Sequence, residues 1–159
     1  MGDHVHVLAA RVGELLRGRT LACAESCTAG LVAQSFAAVT GSLDWFRGAL
    51  VAYQRQVKLD LLDVTAGSIV SPLAAREMAR GAARLFAADV SVSTTGAAGP
   101  DPLDGAEPGT IVIGTFVGGR ADAQVHHVSG TPAEVCTCAA EIALRELIVA
   151  LETDEETMP

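Results

Sequence analysis

Basic residues are scarce in this chain of 159: eleven Lys and Arg stand against nineteen Asp and Glu, a formal net charge of −8. Glu152, Asp154, Glu155 and Glu156 near the C-terminus supply four of those charges, which leaves −4 for the body. Polyanion binding relies on clustered Lys and Arg, so no nucleic-acid partner is expected. No apolar run approaches the ~20 residues of a bilayer-spanning helix. Met1-Gly2-Asp3-His4 has neither the basic nor the apolar region of a secretion signal. The chain is therefore expected in the cytoplasm, without a membrane partner. Aromatic residues make up only 4%, and the apolar half of the chain is mostly Ala, Val and Leu. Cysteine is limited to Cys23, Cys27, Cys136 and Cys138, in a compartment where thiols stay reduced. Zinc held by these and by His126 or His127 is the alternative, but Cys23-x3-Cys27 and Cys136-x-Cys138 match no standard pairing of ligand spacings. No metal is expected. Neither an internal repeat nor a domain linker interrupts the chain, and its length suits one domain, residues 1–151, with 152–159 as a frayed acidic tail.

What the chain does have is a run of short elements organised around Cys23-Ala24-Glu25-Ser26-Cys27-Thr28-Ala29-Gly30. Thr20 to Ala24 has the small apolar character of a buried strand, and Leu31 to Val39 carries apolar residues at helical spacing. The segment between them is a strand-to-helix elbow. In open α/β sheets such elbows lie at the carboxyl ends of strands, where ligands bind. A hydroxyl at Ser26 or Thr28 would sit beside the unpaired N–H groups of the helix start. There it serves either as an ordinary cap or, with a base nearby, as a nucleophile.

The remaining pattern is regular. Val5, Leu8, Ala9, Val12, Leu15 and Leu16 predict an amphipathic helix over 4–17, ended by Gly18. Ala49 to Tyr53 predicts a second strand, and Val57, Leu61 and Leu62 a short helix. Lys58 and Tyr53 could reach the same cleft as Ser26 if the two strands are neighbours; Lys58, Arg55 and Tyr53 also suit a solvated face or a strand edge. Ser71-Pro72 opens a helix to Phe86. Asp89 to Thr94 alternates as a strand and runs into the glycine loop Thr95-Gly96-Ala97-Ala98-Gly99-Pro100, whose N–H groups can turn toward an anion or carbonyl oxygen, or simply make a turn. The loop extends to Gly109, long enough to wall a site. Thr110 to Val117 and Ala123 to Val128 predict a hairpin about Gly118-Gly119, with His126 and His127 on opposite faces. Pro132 opens a final helix to about Leu151. The expected fold is a three-layer α/β/α sandwich with a mostly parallel mixed sheet and an antiparallel edge.

Several stretches in order resemble the C-terminal domain of competence/damage-inducible protein A, the CinA family. They are Ala24-Glu25-Ser26-Cys27-Thr28, Phe46-x-Gly48 to Ala52-Tyr53, Lys58, Leu61-Leu62-x-Val64, Val70-Ser71, Met78-Ala79 with Gly81, Thr95-Gly96-x-Ala98-Gly99-Pro100, Gly109-Thr110 and Ser129-Gly130. The resemblance implies hydrolysis of the carboxamide of nicotinamide mononucleotide to nicotinate mononucleotide and ammonia, without metal or organic cofactor, by a homo-oligomer. It implies Ser26 as nucleophile, Lys58 and Tyr53 as the groups that manage its proton, and substrate contacts at Glu25, Cys27, Thr28, Gly30, Thr95, Gly96, Gly99 and Thr110. The chain departs from the family pattern at Ala29, where the family reads Gly, and at Gln54-Arg55, where it reads Ser-Asn. A basic residue usual near Thr131-Pro132 and another near Ala106-Glu107 are absent, with Arg55 the candidate cation in their place. Two further readings are a catalytically weak relative that binds a nucleotide or a protein, and a thiol nucleophile at Cys27.

Overall fold

The computed structural model describes residues 2–159. Helix α1 (Asp3–Leu16) leads to strand β1 (Leu21–Glu25), helix α2 (Leu31–Ala37), a 3-10 turn at Ser42–Asp44 and strand β2 (Phe46–Val51). Helices α3 (Arg55–Leu62) and α4 (Pro72–Leu85) precede β3 (Val90–Gly96), β4 (Thr110–Val117), β5 (Arg120–His127) and α5 (Pro132–Thr157). The five strands form one sheet in the order β2-β1-β3-β4-β5. β1 runs parallel to β2 and β3, whereas β4 and β5 continue the sheet antiparallel.

Helices cover both faces of the sheet, the mixed three-layer α/β arrangement expected from the alternation of elements. Leu21 and Cys23 of β1, Val90 and Val92 of β3, and Ile111 and Ile113 of β4 pack with α1, α2 and α5 in one core. Residues one position along each strand point the other way. Ala24 joins Leu62, Met78 and Ala82 of α3 and α4 in a second core, and Val112 meets Ala75 in a third. The Ser91 and Ser93 hydroxyls donate to the Ala79 and Ala75 carbonyls of α4 at 2.5 and 2.6 Å. The polar half of the β3 alternation is thus buried against a helix, with its hydrogen bonds made within the protein.

Local chemistry explains the helix ends. The Ser71 side chain accepts from the Ala74 N–H with Pro72 in the first turn, and Thr131 forms a reciprocal capping box with Glu134 before Pro132. Both are strong start signals.

Two expectations need correction. β2 ends at Val51, so Tyr53 lies beyond the strand and not at its end. The acidic tail does not fray at 152: α5 runs on to Thr157, and Asp154 is buried. Arg19 donates to Asp154 at 2.8 Å, Arg11 to Glu152 at 3.1 Å, and Arg17 lies 2.7 Å from Glu155. A run of like charges is helical here with Arg11 of α1 and Arg17 and Arg19 just beyond it facing it. No helix among the described residues is long and apolar enough to cross a membrane.

Candidate active site

The strand order brings the carboxyl ends of β2, β1 and β3 side by side, with Glu25 in register with Val51 and Thr94. The segments leaving those ends carry Ser26 after β1, Lys58 on α3 after β2, and the 97–109 loop after β3. Between them lies a cleft of about 750 Å³ whose walls include Ser26, Cys27, Tyr53, Arg55, Gly96 and Gly99. That volume suits a small-molecule ligand.

At the elbow, the buried Glu25 carboxylate accepts from the Thr28 hydroxyl at 2.6 Å and from the N–H groups of Gly30, Val32 and Ala33 at 3.2, 2.9 and 2.9 Å. The cap position of α2 is Gly30, which has no side chain to do this. An anion at the positive end of a helix is favoured, and here it satisfies donors that the helix cannot. Neither Ser26 nor Thr28 is therefore the cap. Thr28 is buried, in contact with Glu25 and, at 2.8 Å, with the Thr94 hydroxyl. Ala29 and Gly30 both take positive φ, 48° and 103°, to turn the chain into α2. Held by its N–H, which donates to the Thr94 carbonyl at 3.0 Å, Ser26 is left with its hydroxyl toward the cleft.

Lys58 meets that hydroxyl. It is fully buried, and its Nζ donates to Ser26 Oγ at 2.9 Å, to the Ala52 carbonyl at 2.7 Å and to the Tyr53 carbonyl at 3.0 Å. An ammonium has three N–H donors, and these three acceptors use them all. A neutral amine has two, which the fixed carbonyls retain, so its lone pair points at the Ser26 hydroxyl. The same geometry therefore accommodates both protonation states. Burial lowers the lysine pKa to about 8, and the Arg55 charge works in the same direction. The result is an amine close to neutrality under mild conditions, the requirement for a lysine acting as base.

Cys27 borders the same cleft but is a poor nucleophile: burial, with a smaller contribution from Cys136, pushes its thiol up to about 12. No group of three or more His, Cys, Asp or Glu among the described residues is placed to hold a metal ion. His126 lies on β5, with Nε2 3.0 Å from Glu146.

Placement of the expected residues divides them into two sets. Ser26, Cys27, Tyr53, Arg55, Gly96 and Gly99 line the cleft, with Lys58 beneath Ser26. The Tyr53 side chain is 68% exposed, and its contact with Lys58 is through the carbonyl, not the phenol. Glu25, Thr28, Thr95 and Thr110, expected at the substrate, are buried outside the cleft lining, and the half-buried Gly30 at the start of α2 is likewise outside it. Thr95 donates to the Ile69 carbonyl at 2.5 Å, and the Thr110 carbonyl accepts from the Ala97 N–H at 2.9 Å. Asp101 and Asp104, on the loop expected to wall a site, also border the cleft, as do Ile69 and Cys136, which the sequence did not single out for it. No local periodicity marks these four, since three sit in loops.

A serine hydroxyl held by a buried lysine, at the carboxyl ends of parallel strands in a three-layer sheet, defines the class: an α/β protein with a Ser–Lys pair facing a small-molecule cleft. Residues 5–151 match the CinA C-terminal domain, and the chain belongs to that family. It is 37% identical over 165 residues to a CinA-like protein of Mycobacterium avium, covering 96% of this chain and 37% of that protein. It is 40% identical over 130 residues to a CinA-like protein of Rippkaea orientalis, covering 77% of this chain and 30% of the relative. The chain thus spans about a third of the length of the curated relatives it matches. A solved CinA superfamily protein from Klebsiella pneumoniae superposes with a TM-score of 0.88 at 29% identity, covering 94% of this chain and 98% of that one. A competence/damage-inducible protein from Agrobacterium tumefaciens gives 0.85 at 28%, covering 96% and 98%.

Proposed function

We propose that this chain is an amidohydrolase that converts nicotinamide mononucleotide to nicotinate mononucleotide and ammonia. The observation that carries the reading is the 2.9 Å contact between Lys58 Nζ and Ser26 Oγ in a buried, two-carbonyl cradle. Neutral Lys58 takes the Ser26 proton as Oγ attacks the carboxamide carbon. The tetrahedral oxyanion is received by N–H donors of the elbow after Ser26 and of the loop after Ala97, as oxyanions generally require. Protonated Lys58 then delivers its proton to the departing nitrogen, and ammonia leaves an acyl ester on Ser26. A water molecule, deprotonated by Lys58, attacks that ester; the proton returns to Ser26 and the carboxylate product is released. No histidine is needed in this cycle.

The test is ammonia release from nicotinamide mononucleotide, nicotinamide riboside and nicotinamide by the wild-type protein, Ser26→Ala and Lys58→Ala. Release from the mononucleotide, reduced at least ~10³-fold in both variants, is the expected result. A second reading, a nucleotide-binding relative without turnover, is favoured by the absence of basic residues at Thr131-Pro132 and Ala106-Glu107. No release from any of the three compounds, with binding retained, would establish that reading instead.

A further inference from the structure

We infer that Arg55 reads the substrate's phosphate and that Asp104 sets how strongly it does so. This rests on the amidase reading for the identity of the ligand. Among the described residues lining the cleft, Arg55 is the one cation, while Asp101 and Asp104 are both anions. With the Lys58 ammonium beneath Ser26 these charges at most balance, so the cleft offers no net diffuse attraction for a phosphate. Discrimination between a mononucleotide and its riboside must fall on a specific contact. Arg55 is the first residue of α3, three residues before Lys58, about 4.5 Å of helix rise from it. A ligand with its carboxamide at Ser26 can thus extend along one short helix to the guanidinium.

The guanidinium is oriented but not saturated. Nη1 donates to the Gly67 carbonyl at 3.0 Å and Nη2 to the Asp104 carboxylate. Five N–H donors are available on an arginine, so three remain, and the side chain is 41% exposed. Asp104 is itself held by the Ile69 N–H at 3.1 Å, and its carbonyl accepts from Ser68 Oγ at 3.2 Å. The clasp therefore joins α3, the 63–71 segment and the 97–109 loop at the cleft rim. A fixed carboxylate on one side of the guanidinium orients it and also offsets its charge. Phosphate affinity is accordingly present but held below what a free arginine would give.

Binding decides the matter apart from turnover. Calorimetric titration of the Ser26→Ala protein with nicotinamide mononucleotide and with nicotinamide riboside should show the phosphorylated ligand bound roughly 10- to 100-fold more tightly, the range of a charge-assisted contact. Adding Arg55→Ala should collapse that ratio toward one while riboside affinity changes little. Adding Asp104→Asn, which keeps an oxygen acceptor for Ile69, should widen the ratio. Equal weakening of both ligands by Arg55→Ala would make the residue only a clasp and overturn the inference. An unchanged ratio, or no preference for the phosphorylated ligand in the parent, would overturn it as well. Phosphate discrimination without ammonia release from the Ser26-containing protein would instead leave the inference standing and sink the amidase reading.

Discussion

Raising the pH through 8 should switch the proposed amidase on, because the reaction begins from neutral Lys58. With its pKa near 8 rather than the ordinary 10.5, about 9% of the lysine is neutral at pH 7, against about 0.03% for an unperturbed one. Burial of this one side chain thus enlarges the reactive fraction about 300-fold. In a pH series of kcat/KM for ammonia release, the rate should rise tenfold per pH unit below about 7 and level off above about 9. The same shift has a stability consequence. Since the folded-state pKa is depressed, the unfolded chain binds more protons between the two values, and stability rises with pH across that window. Between pH 7 and pH 10 the Lys58 contribution should raise the unfolding free energy by roughly 2–3 kcal/mol. Urea unfolding of wild type and Lys58→Met in parallel isolates it, because other titrating groups are common to both. An activity limb at pH 10 or above, or a wild-type unfolding free energy that does not rise relative to that of Lys58→Met between pH 7 and pH 10, would refute the burial argument for this lysine.

The remaining predictions concern the elbow. Ala29 holds φ 48°, a conformation that costs a residue with a Cβ roughly 1 kcal/mol. Ala29→Gly should therefore raise stability by about 1 kcal/mol and Tm by about 2–4 °C, measured by thermal unfolding; a lowered Tm would show that the methyl contributes packing. Glu25→Ala strips a buried acceptor from three helix N–H groups and Thr28. Urea unfolding should show a loss of about 2–4 kcal/mol. A loss under ~0.5 kcal/mol, the range of an ordinary surface change, would mean other groups cap α2. Cys27, buried and with its thiol pushed up to about 12, should resist iodoacetamide at pH 7.5 in the folded protein. Rapid carboxamidomethylation at Cys27 by mass spectrometry would reverse the exclusion of a thiol nucleophile.

Local chemistry carries most of the element list. Ser71-Pro72 and Thr131-Pro132 announce helices by caps that need only neighbouring residues, and the 118–119 glycine pair sets the β4–β5 hairpin. Period-two and helical spacing separate strands from helices because each side chain's face follows from its position. The ordered motifs that resemble the CinA family are equally a property of the chain itself.

What local pattern does not encode is which distant elements become neighbours. Ser26 and Lys58 are 32 residues apart and meet only because β1 pairs with β2. Lys58 on a short polar helix has the pattern of a solvated charge, and its burial depends on the packing of α3 beside α4. Glu25 becomes the cap of α2 because the turn through Ala29 and Gly30 folds the helix start back over it. Arg55 finds Asp104 across 49 residues, and the acidic end of α5 finds the arginines of residues 11–19 across more than 130. Residue type and spacing therefore determine the elements and the candidate groups. Strand order determines which groups share a cleft, and burial determines which of them has the proton affinity that the chemistry needs.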